Sequence, residues 1–438
     1  MKLSSFKHGS HPAEFKELAE TRELEKLPVP EEVFIPLNQH IGAPCKPVVK
    51  RGDEVKTGQL IAESTGFVSS NIHSSITGKV KKIGDFPHPN GTKGKMIHIV
   101  AEGDEEFVEV HESSQSWELM DVNELRDIIS KAGIVGLGGA AFPTNVKVSP
   151  PKDKPIDTFI INGCECEPYL TADHRMMVEQ ADKMITGMQI LMKILDVQKA
   201  YIGIENNKPD AIGIMENATA NLPNISVTPV KVKYPQGAEK MLIKAVCDRE
   251  VPAGGLPMDV GCVVNNVGTA IAVAEALIEK KPLYERVVTV TGDGVKNPKN
   301  LIARIGTPFS KLIEFCGGLE QDTKKVLMGG PMMGVAQYSL NVPVIKATSG
   351  ILCLRAKSVP RYEEYTCISC GRCVNVCPMY LTPTRIARAV DAGKYDMADE
   401  LGIMNCIECG CCAFECPSNI PLVQRIRIGK MKINEQKK

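Results

Sequence analysis

Residues 367–378 read Cys-Ile-Ser-Cys-Gly-Arg-Cys-Val-Asn-Val-Cys-Pro, and residues 406–417 read Cys-Ile-Glu-Cys-Gly-Cys-Cys-Ala-Phe-Glu-Cys-Pro. Both stretches space their cysteines as C-x2-C-x2-C-x3-C-P, which is the ligand pattern of a [4Fe–4S] cluster. The close spacing lets three thiolates surround one cluster from a short loop. The repeat therefore predicts two [4Fe–4S] clusters in the last part of the chain.

The fourth cysteine of each stretch is predicted to serve the other cluster, as it does in two-cluster ferredoxins. One cluster is then assigned to Cys367, Cys370, Cys373 and Cys416, and the other to Cys406, Cys409, Cys412 and Cys377. Zinc is the alternative for paired cysteines, but it does not explain the third and fourth spaced cysteines of both stretches. Cys411 is out of register and is interpreted as a spare thiol.

Length and composition limit the class of protein. The 438 residues indicate about three domains, and an apolar fraction of 43% is enough for hydrophobic cores. The 52 basic and 52 acidic residues give a net charge of zero, which argues against nucleic-acid binding. The sequence has no run of 18 or more apolar residues, so no membrane-spanning helix is expected. The first residues also lack the apolar core of a signal peptide. We expect a cytoplasmic protein whose cysteines serve as metal ligands and buried thiols.

The chain is predicted to be a multidomain α/β and α+β protein. Residues 1–35 are interpreted as an irregular N-terminal arm, and residues 36–115 as a module of short alternating strands. The latter pattern is typical of barrel-sandwich domains related to lipoyl and biotinyl carriers. Such carriers have a lysine at a hairpin tip, whereas residues 64–71 contain none, so a docking scaffold is favoured over a carrier.

The rest of the chain divides into three further predicted domains. Apolar runs alternate with amphipathic helices over residues 116–285, which predicts an α/β domain with a largely parallel sheet. Residues 286–350 read as strands around a short helix, which fits a β-grasp module of the soluble-ligand-binding type. Residues 351–438 hold both cysteine runs with short helices between them, so this domain is expected to be mainly helical and to end in a basic tail.

A glycine-rich loop is predicted at residues 136–144, which read Gly-Leu-Gly-Gly-Ala-Ala-Phe-Pro-Thr. It matches the dinucleotide pattern G-x-G-x-x-A, but a helix rather than a strand precedes it, so the Rossmann context fails. The glycines still permit close approach of the backbone to a flat ring or a phosphate, and Lys147 adds positive charge. Taken alone, an ordinary glycine-rich turn is the alternative.

Three polar loops follow apolar strands farther along the chain. Residues 162–168, Asn-Gly-Cys-Glu-Cys-Glu-Pro, lie at the carboxyl end of a predicted strand, where α/β sheets bind ligands. Two acids at alternate positions beside an amide suit recognition of hydroxyl groups or a ring imide, and helix-capping acids are the alternative. The other loops are residues 234–239, Tyr-Pro-Gln-Gly-Ala-Glu, and residues 263–269, Val-Val-Asn-Asn-Val-Gly-Thr.

The order of these four segments resembles the FMN- and NADH-binding flavoprotein subunit of respiratory complex I. That family has Arg-Gly-Gly-Ala-Gly-Phe-Pro-Thr, then Asn-Ala-Asp-Glu-Ser-Glu-Pro, then Cys-Gly-Glu-Glu, then Asn-Asn-Val-Glu-Thr. The resemblance implies non-covalent FMN, with NAD+ or NADH as substrate. The implied cofactor contacts are Gly136, Gly138, Gly139, Phe142 and Lys147 along the flavin; Asn162, Glu165, Glu167 and Glu239 at the isoalloxazine and nicotinamide; and Asn265, Asn266 and Thr269 on the phosphate side.

Several positions depart from the complex I pattern. Leu137 stands in place of Arg, Cys164 and Cys166 replace Asp and Ser, and Ala238 replaces an acid. Two clusters are also predicted where complex I has one. The chain is more similar to the C subunits of Rnf-type ion-translocating ferredoxin:NAD+ oxidoreductases, over almost its whole length. The segments that carry this similarity are residues 6–12, 27–30, 35–42, 52–59 and 133–144, with the double cysteine run.

This resemblance implies a peripheral subunit on the cytoplasmic face of the membrane. Its partners would be the integral membrane and iron–sulfur subunits of one complex, with ferredoxin reached indirectly. The complex would transfer electrons between ferredoxin and NAD+ and couple them to Na+ or H+ movement. Within this chain, electrons would pass singly through the two clusters and as hydride between FMN and NAD+. No acid or base is required, so no catalytic side chain is assigned.

Two other functions stay open at this point. A soluble flavin and iron–sulfur corrinoid reductase would share the glycine loop and the clusters, and a non-catalytic electron-transfer subunit would have lost its nucleotide site. Smaller features have plain interpretations: His73 and His174 as hydrogen-bonded structural residues, and Cys164 and Cys166 as packing beside the flavin. The basic tail is interpreted as a solvated end rather than a membrane contact; its residues are Arg425, Arg427, Lys430, Lys432, Lys437 and Lys438.

Overall fold

The computed structural model describes residues 3–359 and 363–437, whose strands form four sheets. Two small antiparallel sheets belong to the N-terminal module, one parallel sheet to the central domain, and one mixed sheet to the module after it. A helical domain follows. The predicted class, a multidomain α/β and α+β protein, is confirmed by this arrangement.

The first residues are not an irregular arm. Strand β1 (Leu24–Lys26) and strand β2 (Glu32–Pro36) follow a short 3-10 helix at Lys16–Leu18. Strand β1 pairs in parallel with residues 300–302, and β2 crosses the boundary predicted at residue 35 to pair with residues 96–100. The prediction failed because these partners lie far along the chain, where local sequence patterns give no signal.

The N-terminal module packs two small sheets face to face. Its remaining strands are β3 (Lys46–Pro47), β4 (Glu54–Val55), β5 (Leu60–Glu63), β6 (Ile72–His73), β7 (Gly78–Pro87) and β8 (Lys93–Ala101). The sheet orders are β2-β8-β7-β4 and β3-β5-β6. A turn that contains Asn90 and Gly91 joins the two strands of the long hairpin β7–β8. Alternate residues of these strands, such as Val33, Ile35, Ile97 and Ile99, are fully buried and form the core.

The central domain is built on a parallel sheet in the order β11-β10-β9-β12. Its elements are α1 (Val122–Lys131), α2 (Thr144–Lys147), β9 (Thr158–Gly163), α3 (Ala172–Glu179), α4 (Ala181–Leu195), β10 (Ala200–Glu205), α5 (Pro209–Ala218), β11 (Ile225–Val230), α6 (Glu239–Cys247), β12 (Cys262–Asn266) and α7 (Val267–Ile278). Asp121 caps the beginning of helix α1, because its carboxylate accepts the Asn123 N–H at 2.8 Å. Because β9 and β12 are neighbouring parallel strands, the loops that leave their carboxyl ends meet.

The next module is a mixed six-stranded sheet with one helix. Its elements are β13 (Glu285–Thr291), β14 (Lys299–Arg304), α8 (Phe309–Phe315), β15 (Thr323–Met328), β16 (Val335–Ala336) and β17 (Gly350–Arg355). The order β1-β14-β13-β17-β15-β16 includes the strand contributed by the N-terminal residues. Phe309 and Leu312 of α8 are fully buried against the sheet. The hairpin, helix and second strand pair have the β-grasp arrangement that the sequence predicts.

The last domain is mainly helical, as expected. Its helices are α9 (Arg372–Asn375), α10 (Pro383–Asp391), α11 (Tyr395–Glu400), α12 (Cys411–Phe414) and α13 (Leu422–Gln436). Helices α10, α11 and α13 share an apolar core around Ile386, Ile403 and Ile426. Within residues 3–359 and 363–437, no helix has both the length and the apolar composition needed to cross a membrane.

Candidate functional site

The glycine-rich loop is fastened to the beginning of α7 and leaves its glycines exposed. The Leu137 N–H donates to Thr269 Oγ1 at 2.9 Å, and the Gly136 N–H closes the loop on the Phe142 carbonyl at 2.8 Å. Gly138 and Gly139 are exposed, and a Cβ at Gly139 would meet open space. Gly139 has φ of +119°, a conformation that glycine adopts without strain. The loop therefore presents bare backbone on one side, which suits close approach of a planar ring.

The amides at the end of β12 lie beside this loop. Asn266 caps α7 by accepting the Gly268 N–H at 2.9 Å, and its Nδ2 donates to Asp173 Oδ2 at 2.6 Å. Asn265 is buried, and neither atom of its side-chain amide has a partner among the described residues. An unpaired buried amide is costly, so a polar cofactor group that completes its hydrogen bonds fits this position.

The first acid of the loop after β9 caps a helix. The Glu165 carboxylate accepts the N–H groups of Asp173 at 2.7 Å and His174 at 3.1 Å, in the first turn of α3. This is the helix-capping alternative considered from the sequence. Asn162 also has protein partners, since its Nδ2 donates to the Gly237 carbonyl at 2.7 Å and its Oδ1 accepts the Cys164 N–H at 3.2 Å.

The second acid of that loop joins two domains. Glu167 Oε1 accepts the N–H groups of Met332 and Met333, both at 2.8 Å, from the loop between β15 and β16. Burial raises the pKa of Glu167, and these two N–H donors act against that shift. Glu165 and Glu167 are thus both bound by the protein itself, and their contact with the isoalloxazine and nicotinamide stays a prediction.

Lys147 and Glu239 form an ion pair with each other. Lys147 ends α2 and Glu239 begins α6, and their side chains are 21% and 40% exposed. The positive charge expected of Lys147 is therefore balanced by the acid that was predicted to contact the nicotinamide.

Two buried lysines that sequence reasoning missed hold the backbone of the same loop. Lys16 Nζ donates to the carbonyls of Glu165, Glu167 and Leu170 at 2.8, 3.2 and 2.7 Å. Lys208 Nζ donates to the Cys164 carbonyl at 2.7 Å. The carbonyls of this loop thus point at two ammonium groups. Isolated lysines, one of them far from the loop in sequence, carry no motif by which they could have been found.

Asp173 and Arg286 were also missed. Burial raises the pKa of Asp173 to about 7, and the neighbouring Glu165 carboxylate adds to this shift. Arg286 is buried and donates to the Leu137 carbonyl at 3.2 Å, so it holds the glycine loop from the β-grasp side. Burial lowers the pKa of Arg286 to about 10.

The cysteines line two cavities, here called the inner and outer cavities. The inner cavity is lined by Cys406, Cys409, Cys411 and Cys412 of the second run with Cys377 of the first. The outer cavity is lined by Cys367, Cys370 and Cys373 with Cys416. The last cysteine of each run thus lies with the other run, and the assignment of individual cysteines as cluster ligands stays a prediction. Across residues 3–359 and 363–437, no three His, Cys, Asp or Glu side chains converge as ligands of a single metal ion.

The inner cavity lies against the polar loops of the central domain. Cys409 and Cys411 pack with Tyr234, Cys166 and Met332 in one small apolar cluster. Cys166 Sγ accepts the Gly237 N–H at 3.3 Å, so the same cluster reaches the loop before α6. Cys370 of the outer cavity is exposed to solvent. The inner cavity is therefore the one next to the predicted flavin site.

The smaller features have structural roles. His174 Nε2 lies 2.8 Å from Asp210 Oδ1, and His73 is buried in the N-terminal module. The basic tail is not simply solvated, because most of its described residues form ion pairs with acidic residues of the same domain. These pairs are Arg425 with Glu364, Arg427 and Lys430 with Glu408, and Lys437 with Asp399. Lys438 lies outside the described residues.

Four known domain families match successive parts of the chain. Residues 4–106 match the RnfC barrel sandwich hybrid domain, and residues 129–275 match the Nuo51 FMN-binding domain. Residues 287–336 match the SLBB domain, and residues 366–421 match the 4Fe-4S dicluster domain. The barrel-sandwich, FMN-binding and two-cluster predictions are confirmed by these matches.

Curated relatives are similar over nearly the whole chain. The C subunit of the proton-translocating ferredoxin:NAD(+) oxidoreductase complex of Clostridium ljungdahlii is 51% identical over 91% of this chain and 87% of its own length. The C subunit of the Na(+)-translocating complex of Acetobacterium woodii is 45% identical over 100% of this chain and 99% of its own. The C subunit of an ion-translocating oxidoreductase complex from Rhodobacter capsulatus is 41% identical over 99% and 84%.

One solved structure is similar in fold. It is an NAD+-reducing [NiFe]-hydrogenase in the air-oxidized state, with a TM-score of 0.50 and 18% sequence identity. The match covers 64% of this chain and 53% of the hydrogenase chain, about half of its length. At this identity the match describes the fold alone.

Proposed function

Because the chain belongs to the family of C subunits of ion-translocating ferredoxin:NAD(+) oxidoreductase complexes, we propose that it is the subunit that exchanges electrons with NAD+ or NADH in such a complex. It contains an FMN-binding domain and a domain for two [4Fe–4S] clusters. The subunit reduces or oxidises the nicotinamide, while ferredoxin is reached through partner subunits. The corrinoid-reductase alternative has no support among these relatives.

One observation carries this proposal. The inner cysteine cavity lies against the loops that leave the carboxyl ends of β9 and β11 in the FMN-binding domain. A pathway that connects a nicotinamide to one-electron centres needs a flavin next to a cluster. FMN, when bound, exchanges two electrons with NADH and gives or takes them singly on its other side.

The residues of this chain hold and shape the site. The Thr269 hydroxyl accepts the Leu137 N–H, and the Arg286 guanidinium donates to the Leu137 carbonyl. These two bonds keep the exposed glycines in place. Asn265 offers an unpaired buried amide, and Asn266 sets the beginning of α7. A preorganised loop of this kind loses little entropy when the cofactor binds, so affinity is gained without new contacts.

The twelve predicted cofactor contacts are proposed as FMN and nicotinamide ligands with different levels of support. Gly139 is favoured by the open space beside it, Gly138 by its exposure, and Asn265 by its unpaired amide. Glu165, Glu167 and Glu239 have protein partners already, so we propose that they act mainly by holding α3, the β-grasp loop and Lys147.

The order of the two clusters follows from their position. The exposed Cys370 places the outer cavity where a partner protein can approach, and the inner cavity lies next to the flavin domain. We infer a path from the partner to the outer cluster, then to the inner cluster and the flavin site. Each cluster carries one electron at a time, with the eight cysteines of the crossed assignment as ligands.

We propose that the subunit lies on the cytoplasmic face of the membrane, attached through its partners. Its family supports this position, because the relatives are subunits of complexes that translocate ions. The relatives differ in their ion, with protons named for one complex and Na+ for another. The integral membrane and iron–sulfur subunits of the same complex are the expected partners.

Anaerobic purification followed by iron, sulfide and flavin analysis tests the proposal. We expect about eight irons and eight sulfides per chain, as two cubane clusters require, with one FMN. NADH should bleach the flavin and then reduce the clusters. Colourless protein, or coloured protein that does not react with NADH, would contradict the proposal. Co-purification with integral membrane subunits tests the assembly separately.

A further inference from the structure

We propose that residues 4–11, here called the N-terminal strap, position the cluster domain against the FMN-binding domain and thereby set the rate of electron transfer between the inner cluster and the flavin. The inference rests on the proposed function. None of the strap residues lines either cysteine cavity, so they act as positioning residues, and Ser10 reaches the inner cavity only through Cys411, which lines it.

One side of the strap is bound to the central domain. The Lys231 N–H donates to the Ser4 carbonyl at 3.0 Å, and Ser5 Oγ donates to Gln236 Oε1 at 2.9 Å. Ser10 and Tyr234 exchange two backbone hydrogen bonds, at 2.8 and 2.9 Å. This side therefore runs along the segment that follows β11, close to the loop before α6.

A lysine and an aromatic ring reinforce this side. Lys233 Nζ donates to the Phe6 carbonyl at 3.0 Å and lies 4.7 Å from the centre of the buried Phe6 ring. A cation over an aromatic face is attracted by the ring electrons, more strongly where it is shielded from water. The strap is thus held by backbone bonds, an apolar anchor and a charge.

The other side of the strap is bound to the cluster domain. The Gly9 N–H donates to the Val376 carbonyl at 2.9 Å, and the His8 ring bonds the Asn375 carbonyl and meets the edge of Tyr380. Ser10 Oγ donates to Cys411 Sγ at 3.3 Å. Val376 precedes Cys377, and Cys411 precedes Cys412, so the strap is bonded beside two ligands of the inner cavity.

Ser10 is the point where three parts of the molecule meet. Its backbone pairs with Tyr234 of the central domain, and its hydroxyl bonds the cluster domain. Cys411, the thiol interpreted from the sequence as a spare, is fully buried at this point and lies 3.7 Å from the Tyr234 carbonyl. Cys411 therefore belongs to the contact between domains.

Gly9 cannot be replaced without moving the strap. Its φ is +83°, and a Cβ there would lie 2.5 Å from the Tyr234 carbonyl oxygen and 2.9 Å from the Phe6 ring. Both neighbours are themselves held in place, so a larger residue forces the strap away from one domain or the other. Since electron transfer slows steeply with separation, a small shift of the inner cluster has a large effect on its rate.

The test compares Gly9→Val with Lys7→Ala in anaerobically purified holoprotein. Lys7 lies in the same strap but is exposed, which makes it a matched control. Flavin absorbance and the electron paramagnetic resonance signal of the clusters are followed after mixing with NADH. In Gly9→Val we expect flavin reduction at the wild-type rate and cluster reduction at least tenfold slower, with both unchanged in Lys7→Ala.

Amide hydrogen exchange gives a readout independent of activity. The Ser10 and Tyr234 N–H groups should exchange faster in Gly9→Val, while strands β9 and β10 exchange as in the wild type. If Gly9→Val does not fold, the milder His8→Ala/Ser10→Ala double variant replaces it. We then expect cluster reduction to be about threefold slower than in the wild type, with the rate of flavin reduction unchanged.

Two results would overturn the inference. Cluster reduction that keeps pace with flavin reduction, in a variant with faster exchange at Ser10, would show that the strap does not set the rate. Equal slowing of both reductions would place its effect in the flavin site instead. Failure of the proposed function gives a different result, because the flavin of the wild-type protein would then not respond to NADH at all. In that case hydrogen exchange alone tests the role of the strap, and unchanged exchange at Ser10 and Tyr234 in Gly9→Val would reject it.

Discussion

At the scale of single residues, the last cysteine of each run illustrates how much a short spacing can determine. Cys377 is separated from Cys406 by a helical segment, yet it lines the inner cavity with Cys406, Cys409 and Cys412. Local geometry suffices here, since the x3 step begins a helical turn that carries the thiol away from its own run.

The crossed grouping predicts which variants share a defect. Cys377→Ser should remove the same cluster signal from the electron paramagnetic resonance spectrum as Cys409→Ser. Cys416→Ser should instead remove the signal that Cys370→Ser removes. Each variant should lose about four irons of eight. Cys411→Ser is the matched control and should keep all the iron. Loss of different signals in Cys377→Ser and Cys409→Ser would contradict the grouping.

The acids after β9 have hydrogen-bond partners that a local sequence motif cannot predict. A motif can identify Glu165 and Glu167 as important, but their partners come from α3 and from a loop of another domain. The same is true of Lys16 and Lys208, which act on carbonyls and have no sequence signature. Contacts made through folded neighbours are absent from any local pattern.

Asp173 gives a pH prediction at this scale. Its pKa is raised from the usual aspartate range to about 7, chiefly by burial. At a pH between the ordinary aspartate pKa and 7, Asp173 is ionised in the unfolded chain but still protonated in the native protein. The free energy of unfolding therefore falls as the pH rises towards 7.

Asp173→Asn should remove this loss. We expect the wild-type free energy of unfolding to fall by roughly 1–2 kcal/mol between pH of about 5.5 and 7, and that of Asp173→Asn to stay flatter. Thermal unfolding across this range measures the difference. Asp182→Asn, at an exposed acid in the first turn of α4, is the control. If the free energy of unfolding falls equally with pH in Asp173→Asn and in the wild type, Asp173 is not the group responsible.

At the scale of elements, the beginning of α7 organises the flavin loop. Thr269 lies in its first turn and accepts the N–H of Leu137 across a long sequence separation. The helix thereby converts a glycine-rich segment, which alone would be mobile, into a defined surface.

Thr269→Val should weaken FMN binding. Valine has nearly the same shape but leaves the Leu137 N–H without its acceptor, at a cost of about 1–1.5 kcal/mol. We expect roughly a tenfold higher Kd for FMN, measured by flavin fluorescence on the apoprotein. Thr269→Ser keeps the hydroxyl and should bind as the wild type does. Unchanged affinity in Thr269→Val would show that the loop does not need this bond.

The regular elements were predicted well where the pattern is local. The alternation of strands with helices over residues 116–285 occurs as expected, and so do the short helices between the two cysteine runs. Strand β1 was missed because it is three residues long and its partner is near residue 300. Only tertiary pairing makes such a segment a strand.

At the scale of the whole molecule, Lys346 joins three domains. It lies between β16 and β17, is fully buried, and donates to the carbonyls of Asn71 and Gly133, both at 2.6 Å. Asn71 belongs to the N-terminal module, and Gly133 precedes the glycine loop. Burial lowers the pKa of Lys346 to about 7.

This junction predicts a second pH dependence of opposite sign. Above pH 7 the native lysine is neutral while the unfolded chain stays protonated, so stability rises with pH until the unfolded pKa is reached. Lys346→Met should abolish the rise between pH of about 7 and 9.5. Urea unfolding at several pH values measures it, and Lys324→Met, at an exposed position of the same sheet, is the control. A rise that persists in Lys346→Met would contradict this account.

The types of domain could be predicted from the sequence, but not how the domains are connected. Composition and turn patterns distinguish the modules, since each has its own periodicity. The strap, the buried Lys346 and the Glu167 bridge join those modules through single residues. Such joints follow from the packed structure alone, and the exact domain boundaries stay a prediction.

The strap and strand β1 also affect how the protein is made. Gly9 bonds Val376 and Leu24 pairs with Asn300, and these partners are translated much later than the strap and β1. At roughly 5–20 residues per second, the nascent N-terminus waits on the order of 20–70 s before its last partner emerges. During that time β1 is an open strand edge that can pair with other chains. The contacts of the strap are therefore completed only after the cluster domain has been synthesised.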